Sequence, residues 1–405
     1  MQIINTERIP LFVFADEVES GAIEQAKNVA NHPAARHYVS IMPDTHEGYG
    51  MPIGGVCALE NAISPNMVGV DIGCGMLSLK THFNIKDMPE TELNNNLVKT
   101  MRQVRKSIPM GYSHRGQNDF KSAVEHLLCF ENNIKDYGHI DPYLSPDNLI
   151  LSAKEQIGTL GGGNHFIEIQ RDAEGFLYIM VHSGSRNIGK KVCDIFNRIA
   201  LNFCQNYYSP IPNNDLAFLP TNTECGTAYI HLMNTCQVFA EENRNIMGTL
   251  AYEALCSAFG KDSVVPFVFL KDKINVHHNY AAIEYFYGRN YWIHRKGAIC
   301  AREGMIGVIP GSMGTSSYIV KGKGNNKSWN SCSHGAGRAM SRKKAKETFT
   351  VDQFKEKMGG VVFHCDEEHI DESPMAYKDI TMVMQQQADL VEIITELQPL
   401  AAEKA

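Results

Sequence analysis

Five residues scattered along the chain are of types that bind transition metals: Asp71, Cys74, His165, His182 and His278. Asp71 and Cys74 stand in D-I-G-C-G, a hard carboxylate and a soft thiol between glycines. His165 closes G-G-G-N-H, His182 opens H-S-G-S-R, and His278 lies in N-V-H-H-N-Y. One carboxylate, one thiolate and three imidazoles suffice for two ions, because a thiolate can bridge and imidazole suits Zn-, Fe-, Ni- or Mn-class metals. No compact motif such as H-E-x-x-H is present, so folding must assemble the set. Taken singly, each histidine is more often structural, and a lone cysteine is more often a small buried hydrophobe. The repeated glycine-flanked setting is what argues for ligands.

A sixth residue, His334, sits in N-S-C-S-H-G-A-G-R-A-M-S-R, Asn330–Arg342. The glycines let a ligand approach the backbone closely. The run after Gly337 has no breaker through Lys346 and predicts a helix with a basic face. Such a helix start could hold phosphate, and a histidine there could carry a phosphoryl or nucleotidyl group. The alternative for this stretch alone is a glycine turn with a satisfied polar histidine. Gly161–Gly163, Ser183–Arg186 and Pro310–Ser317 offer further amides and hydroxyls for phosphate, and no Walker-type loop occurs. Arg186, Lys296, Arg338 and Arg342 are the cations expected around a polyanion.

Composition sets the frame for this chemistry. The 405 residues are 43% hydrophobic and 20% charged, ordinary for a globular protein. The net charge of −7 carries no global nucleic-acid signature, so any polyanion site must be a local basic patch. Eleven cysteines without C-x-x-C argue for reduced thiols and a cytoplasmic setting. No signal-peptide pattern opens the chain, and no apolar run approaches the roughly 20 residues of a membrane span.

The elements that must position these residues alternate irregularly. Helices are expected over Glu17–His32, Asp87–Ile108, Phe120–Tyr137, Lys190–Tyr207, Gly226–Phe259 and Pro374–Leu397. Strands are expected over His37–Met42, Val68–Leu79, Phe166–Ile169, Phe176–Val181, Val264–Leu270, Tyr291–Ile293, Met305–Ile309, Tyr318–Lys321 and Gly360–His364. The Val68–Leu79 strand would carry Asp71 and Cys74, and Ala401–Ala405 would be a tail. With no convincing linker or repeat, this order predicts an α+β fold. It should be one large domain, residues 1–405, with a mixed or antiparallel sheet core flanked by helices.

Taken together, V-G-V-D-I-G-C-G-M, G-T-L-G-G-G-N-H-F-I-E, H-S-G-S-R-N-I-G, H-H-N-Y, R-K-G-A, I-P-G-S-M-G-T-S-S, S-C-S-H-G-A-G-R-A-M-S-R and P-M-A-Y-K-D resemble, in order and spacing, the RtcB-type RNA ligases. The resemblance spans essentially the whole chain. It implies an RtcB-like fold and a GTP- and Mn(II)-dependent enzyme. Such an enzyme joins RNA ending in a 2′,3′-cyclic phosphate or 3′-phosphate to RNA beginning with a 5′-hydroxyl, in RNA repair or tRNA splicing. It places the guanylylated nucleophile on His334 and two Mn(II) on Asp71, Cys74, His165, His182 and His278, with Cys74 bridging. Guanylate contacts fall on Asn164, His165, Phe166, Ile167, Glu168, His278, Asn279, Pro310, Gly311, Ser312, Met313, Ser317, His334, Gly335, Ala336, Gly337 and Lys404. Asp44 falls near the reacting centre, and Arg186 and Arg342 fall on the RNA 3′-phosphate, with Lys296 as a further catalytic cation. A monomer is expected, with no membrane partner. The segment Ile108–Asp147 carries none of the family's motifs. Two other classes use the same residues: a metal-dependent phosphoesterase with His334 as general acid, and a catalytically silent RNA-binding protein.

Overall fold

The computed structural model describes residues 1–116, 120, 135–260, 273–364 and 367–404. The expected strand Val264–Leu270 lies outside them, as does most of the expected helix Phe120–Tyr137. Among the described residues the strands form two main sheets rather than one, and the α+β class holds. The first has six strands in the order Gln2–Ile4, Leu11–Val13, Ala35–His46, Ile53–Leu59, Arg289–Lys296 and Asn279–Phe286. It is mixed, because Leu11–Val13 runs parallel to Ala35–His46 while the other pairs are antiparallel. The second runs Lys273–His277, Gly75–Asn84, Phe176–Ser183, Phe166–Arg171, Val391–Lys404, Ser317–Gly322 and Ile306–Ile309. Val362–Phe363 pairs in parallel with Val391–Lys404 at its side.

Alternation along the second sheet explains its position. Leu77, Leu79, Ile167, Ile169, Ile179 and Val181 share one face and pack on two helices, Glu90–Ser107 and Glu224–Ala258. Met76, Phe166, Tyr178, Met180 and Leu397 form a core on the other face. That is the period-2 pattern of a sheet covered on both sides. Leu93, Leu97, Met101 and Val104 recur at helical spacing on the first of those helices and meet the sheet. Among the described residues no helix is long and apolar enough to cross a membrane.

Register gathers distant motifs into one row. Met76 faces His182, His182 faces Phe166, and Phe166 faces Lys404 across four strands. Beside them His277 faces Gly75, which faces Ser183. His278 is the single residue between Lys273–His277 of the second sheet and Asn279–Phe286 of the first. The two sheets are therefore joined at a candidate ligand.

Three expected elements differ. Helix was expected over Pro374–Leu397, but only Ile380–Gln386 is α-helical, and Val391–Lys404 is a 14-residue strand. Its pairing with both Phe166–Arg171 and Ser317–Gly322 satisfies two ladders, and long-range pairing overrides local propensity here. Lys404 is consequently no tail residue. Asp71 and Cys74 precede the strand Gly75–Asn84 rather than riding on it, with the Cys74 amide closing on the Asp71 carbonyl at 3.1 Å. The basic helix begins at Arg342, not after Gly337, because the Ser341 side chain caps it by accepting from the Lys344 amide.

A fully buried ion pair holds the first sheet to the segment before His334. Arg295 donates to Glu284 at 2.5 Å, to Ser331 Oγ at 2.8 Å and to the Trp329 carbonyl at 2.9 Å. Glu284→Ala would strand the guanidinium in the interior, so stability should fall by about 3–5 kcal/mol in urea unfolding. Replacing both partners by apolar residues should recover much of that loss.

Candidate active site

The ligand set predicted from sequence converges. Cys74 Sγ lies 3.4 Å from the Nε2 atoms of both His165 and His182, and the three donor atoms lie within 4.8 Å of one another. His165 Nε2 is 3.0 Å from Asp71 Oδ2. The His278 ring centroid lies 5.1 Å from that of His182, and its Nδ1 has no partner despite burial. The outer nitrogens of the other two rings are tied to the backbone: His165 Nδ1 to the Leu160 carbonyl at 2.9 Å, His182 Nδ1 to the Asn164 carbonyl at 3.1 Å. The bond at His182 sets the Nδ1–H tautomer and aims an Nε2 lone pair inward, as a metal ligand requires, while His165 Nδ1 meets both the Leu160 carbonyl and the Arg186 guanidinium. Asp71 is held from outside, where the Ser185 amide donates to Oδ1 at 3.1 Å. Gly184 passes so close to this carboxylate that a Cβ would collide with it.

Without an ion these groups are costly to charge. Burial and the charge of Asp71 push the Cys74 thiol well above its ordinary value. Burial also holds His182 and His278 well below theirs, so both rings are neutral and able to ligate. A dication would reverse the cysteine's preference, because coordination deprotonates a thiol. The donor set, the orphaned His278 nitrogen and the oriented imidazoles all fit a divalent transition metal.

His334 stands at the end of the short strand Ser331–Ser333. Asp44 Oδ2 accepts from its Nδ1 at 2.6 Å, from its amide at 3.0 Å and from the Gly335 amide at 3.3 Å. Burial works to raise the pKa of Asp44, yet His334, joined by His46 and Lys378, outweighs it and keeps the carboxyl below its usual range. With Nδ1 donated to Asp44, Nε2 is the free nitrogen. The His334 ring centroid lies 4.7 Å from that of His278, which links it to the metal set. Gly337 has φ +74°, and a Cβ there would strike the Asp44 backbone, so the second glycine of G-A-G is needed for this approach.

A pocket of about 310 Å³ opens in front of His334. Of the residues expected as guanylate contacts, Asn164, Phe166, Pro310, Gly311, Ser312, Met313, Gly335, Ala336, Gly337 and Lys404 line it together with His334 itself. Ser317 lies behind the wall, its Oγ accepting from the Gly311 amide at 3.2 Å and from Gln170 at 2.9 Å. Asn279 also acts from behind, donating to the Asp71 carbonyl at 3.1 Å and accepting from the Gly297 amide at 2.8 Å. Ile167 faces the opposite way, into the helix-covered core. Glu168 is buried beside the pocket and accepts from Gln170 at 2.7 Å, and burial pushes its pKa up to about 8.

The expected cations do not form one basic groove. Lys296 is buried apart from the pocket, its ammonium donating to the Tyr49 and Asn66 carbonyls, and burial brings its pKa down to about 8. Arg186 lies on the far side of the metal set, 3.1 Å from His165 Nδ1. Arg338, Arg342 and Lys404 do line the pocket, but they share a buried carboxylate that sequence reading missed, Glu372. Glu372 also accepts from the Tyr377 hydroxyl, while Asp371 accepts from Arg342 at 2.6 Å. Tyr377 lines the pocket and was likewise missed, although P-M-A-Y-K-D was part of the resemblance. D-E-S-P immediately before it was the available signal for Asp371 and Glu372. Four pocket groups are thus pre-positioned by one negative charge, a means of keeping cations ordered before a polyanion arrives.

Comparison with known proteins agrees with this geometry. Residues 25–405 match the family model described as tRNA-splicing ligase RtcB. An Escherichia coli K12 protein named RNA-splicing ligase RtcB is 38% identical over 411 residues, covering 100% of this chain and 99% of its own length. A Methanococcus maripaludis protein named tRNA-splicing ligase RtcB is 31% identical, covering 93% of this chain and 90% of its own.

Two outcomes follow from the site. Co(II) loaded into the wild type should give a thiolate-to-metal absorption band, and Cys74→Ala should lose that band with at least about tenfold of metal affinity. Glu168 keeps its proton in the fold up to about pH 8, whereas an unperturbed carboxyl loses it near 4.5. Between those values the unfolded state binds fewer protons, so this residue makes stability fall as pH rises. The unfolding free energy measured in urea should therefore fall less, or rise more, from pH 5 to pH 8 in Glu168→Gln than in the wild type, by at least about 1 kcal/mol, the worth of roughly one pKa unit.

Proposed function

The chain belongs to the RtcB family of tRNA-splicing ligases, and on that premise we propose that it joins RNA 2′,3′-cyclic phosphate or 3′-phosphate ends to 5′-hydroxyl ends using GTP. The observation that carries this reading is the clamped His334. Its Nδ1 is committed to Asp44 at 2.6 Å, which leaves Nε2 as a nucleophile at the mouth of a nucleotide-sized pocket. Asp44 orients the ring and stabilises the positive charge that the imidazole gains as it attacks.

Nε2 of His334 would bond to the α-phosphorus of GTP as the bond to pyrophosphate breaks. Phe166 and the Pro310–Met313 wall line the pocket and would enclose the guanylate, and Lys404 and Arg338, also in the lining, would neutralise its phosphate. The guanylyl group would pass from His334 to an oxygen of the RNA 3′-phosphate, breaking the P–N bond. A cyclic phosphate would be hydrolysed beforehand. The 5′-hydroxyl oxygen would then bond to the activated phosphorus, lose its proton, and expel GMP. Two Mn(II) held by Asp71, Cys74, His165, His182 and His278 would supply positive charge for the phosphate oxygens throughout. Arg186 and Arg342 would neutralise the 3′-phosphate itself. The protein would act as a monomer in the cytoplasm, residues 1–405 forming one ligase unit, where reducing conditions keep Cys74 able to ligate.

Incubation with α-labelled GTP and Mn(II) tests the reading. The wild type should retain acid-labile label, and His334→Ala should lose it by more than about a thousandfold. His334→Ala should still seal RNA whose 3′ end already carries the guanylyl group. Full labelling of the alanine variant would sink the assignment, and a phosphoesterase using His334 as an acid would retain no label in either protein.

A further inference from the structure

The metal set has a second opening. A cavity of about 770 Å³, whose lining does not include His334, reaches Asp71, His165 and Arg186. Asn164 lines both this cavity and the pocket in front of His334, so the two flank one centre. Its outer wall is the loop after Pro109, within the segment that carries no family motif. Tyr112 on that loop is fully exposed, at 101%.

Exposure here does not come from a loose loop. The Leu160 amide donates to the Pro109 carbonyl at 2.9 Å, and the Gly111 amide to the Gly161 carbonyl at 3.1 Å. On the far side the Arg115 amide donates to the Glu155 carbonyl at 2.9 Å, and its guanidinium grips the Ser107 and Gly158 carbonyls at 2.7 and 2.8 Å. The backbone is pinned on both flanks of Tyr112 while its ring stands in solvent. An aromatic ring presented this way, beside the cations Arg186 and Lys190, has the chemistry of a nucleobase platform.

The geometry points to Tyr112 as the platform on which the terminal base of the 3′-phosphate strand stacks, with that strand's phosphate at Arg186 as the reading above already has it. The inference rests on the RNA-ligase reading above. A ligase with GMP in the first pocket must admit RNA to the same centre from elsewhere, and this cavity is the route that reaches Asp71 and His165. The 3′-phosphate strand suits it better than the 5′-hydroxyl strand, because only the former brings a terminal phosphate for Arg186 to neutralise. Gly162 supports the placement: a Cβ there would meet nothing within 4 Å, so the floor beside Asn164 is open.

The test is fluorescence anisotropy with a short labelled oligoribonucleotide ending in a 3′-phosphate, read without GTP. Tyr112→Ala should raise Kd about tenfold or more, and Tyr112→Phe should stay within about twofold of wild type. An oligonucleotide with an abasic terminal residue should bind the wild type as weakly as the intact one binds Tyr112→Ala. It should lose nothing further on that variant. Wild-type affinity in Tyr112→Ala would overturn the inference, as would an abasic penalty undiminished in the variant. A loss confined to a 5′-hydroxyl oligonucleotide without a 3′-phosphate would overturn the choice of strand. Labelling of wild-type His334 by GTP is a separate reading, so failure of the ligase assignment is distinguishable from failure of this subsite.

Discussion

Burying three imidazoles and a thiol in one small volume, against a half-buried carboxylate, is the constraint around which this molecule is built. Each group would be better solvated outside, and leaving any unpaired inside costs free energy. The fold answers by giving most of them a specific partner. Leu160 and Asn164 carbonyls hold the outer nitrogens of His165 and His182, and the Ser185 amide holds Asp71. What stays unsatisfied, a thiol against two nitrogens and a lone His278 nitrogen, is the valence a metal would complete.

That demand explains the position of the centre at the seam of two sheets. Strand ends supply directed side chains on a rigid frame, and cross-strand register aligns residues far apart in sequence. The row Met76, His182, Phe166, Lys404 carries one metal-type ligand and two pocket residues on neighbouring strands. The first sheet brings Asp44 on Ala35–His46, and the segment Ser331–Ser333 brings His334 to it. Neither sheet alone contains the chemistry, and His278, joining them, touches both parts.

Charge is sorted as carefully as the ligands. The chain is acidic overall, so it cannot attract RNA by net charge. Arg338, Arg342 and Lys404 collect at the pocket because Glu372 and Asp371 neutralise them there. A buried carboxylate facing several cations leaves a surplus of positive charge held in fixed geometry. An arriving phosphate then meets oriented donors without paying for their reorganisation. Arg186 faces the other cavity, so the cations are divided between two openings.

The sequence by itself determined the chemistry. D-I-G-C-G, G-G-G-N-H, H-S-G-S-R and S-H-G-A-G-R carry their functional groups within a few residues of the glycines that allow close approach, so local pattern suffices to read them. The helices Glu90–Ser107 and Glu224–Ala258 were legible for the same reason, since their apolar stripes are local. Tertiary structure decided what depends on distant partners. Val391–Lys404 is a strand because two ladders claim it, and the ion pair of Glu403 with Arg105 at 2.6 Å holds its end, so Lys404 becomes a pocket wall. Lys296 is withdrawn beneath the surface by two carbonyls on other segments, and Glu372 becomes a hub only when Arg338, Tyr377 and Lys404 fold onto it. Long-range pairing and desolvation are properties of the folded ensemble of neighbours, and no window of sequence contains them.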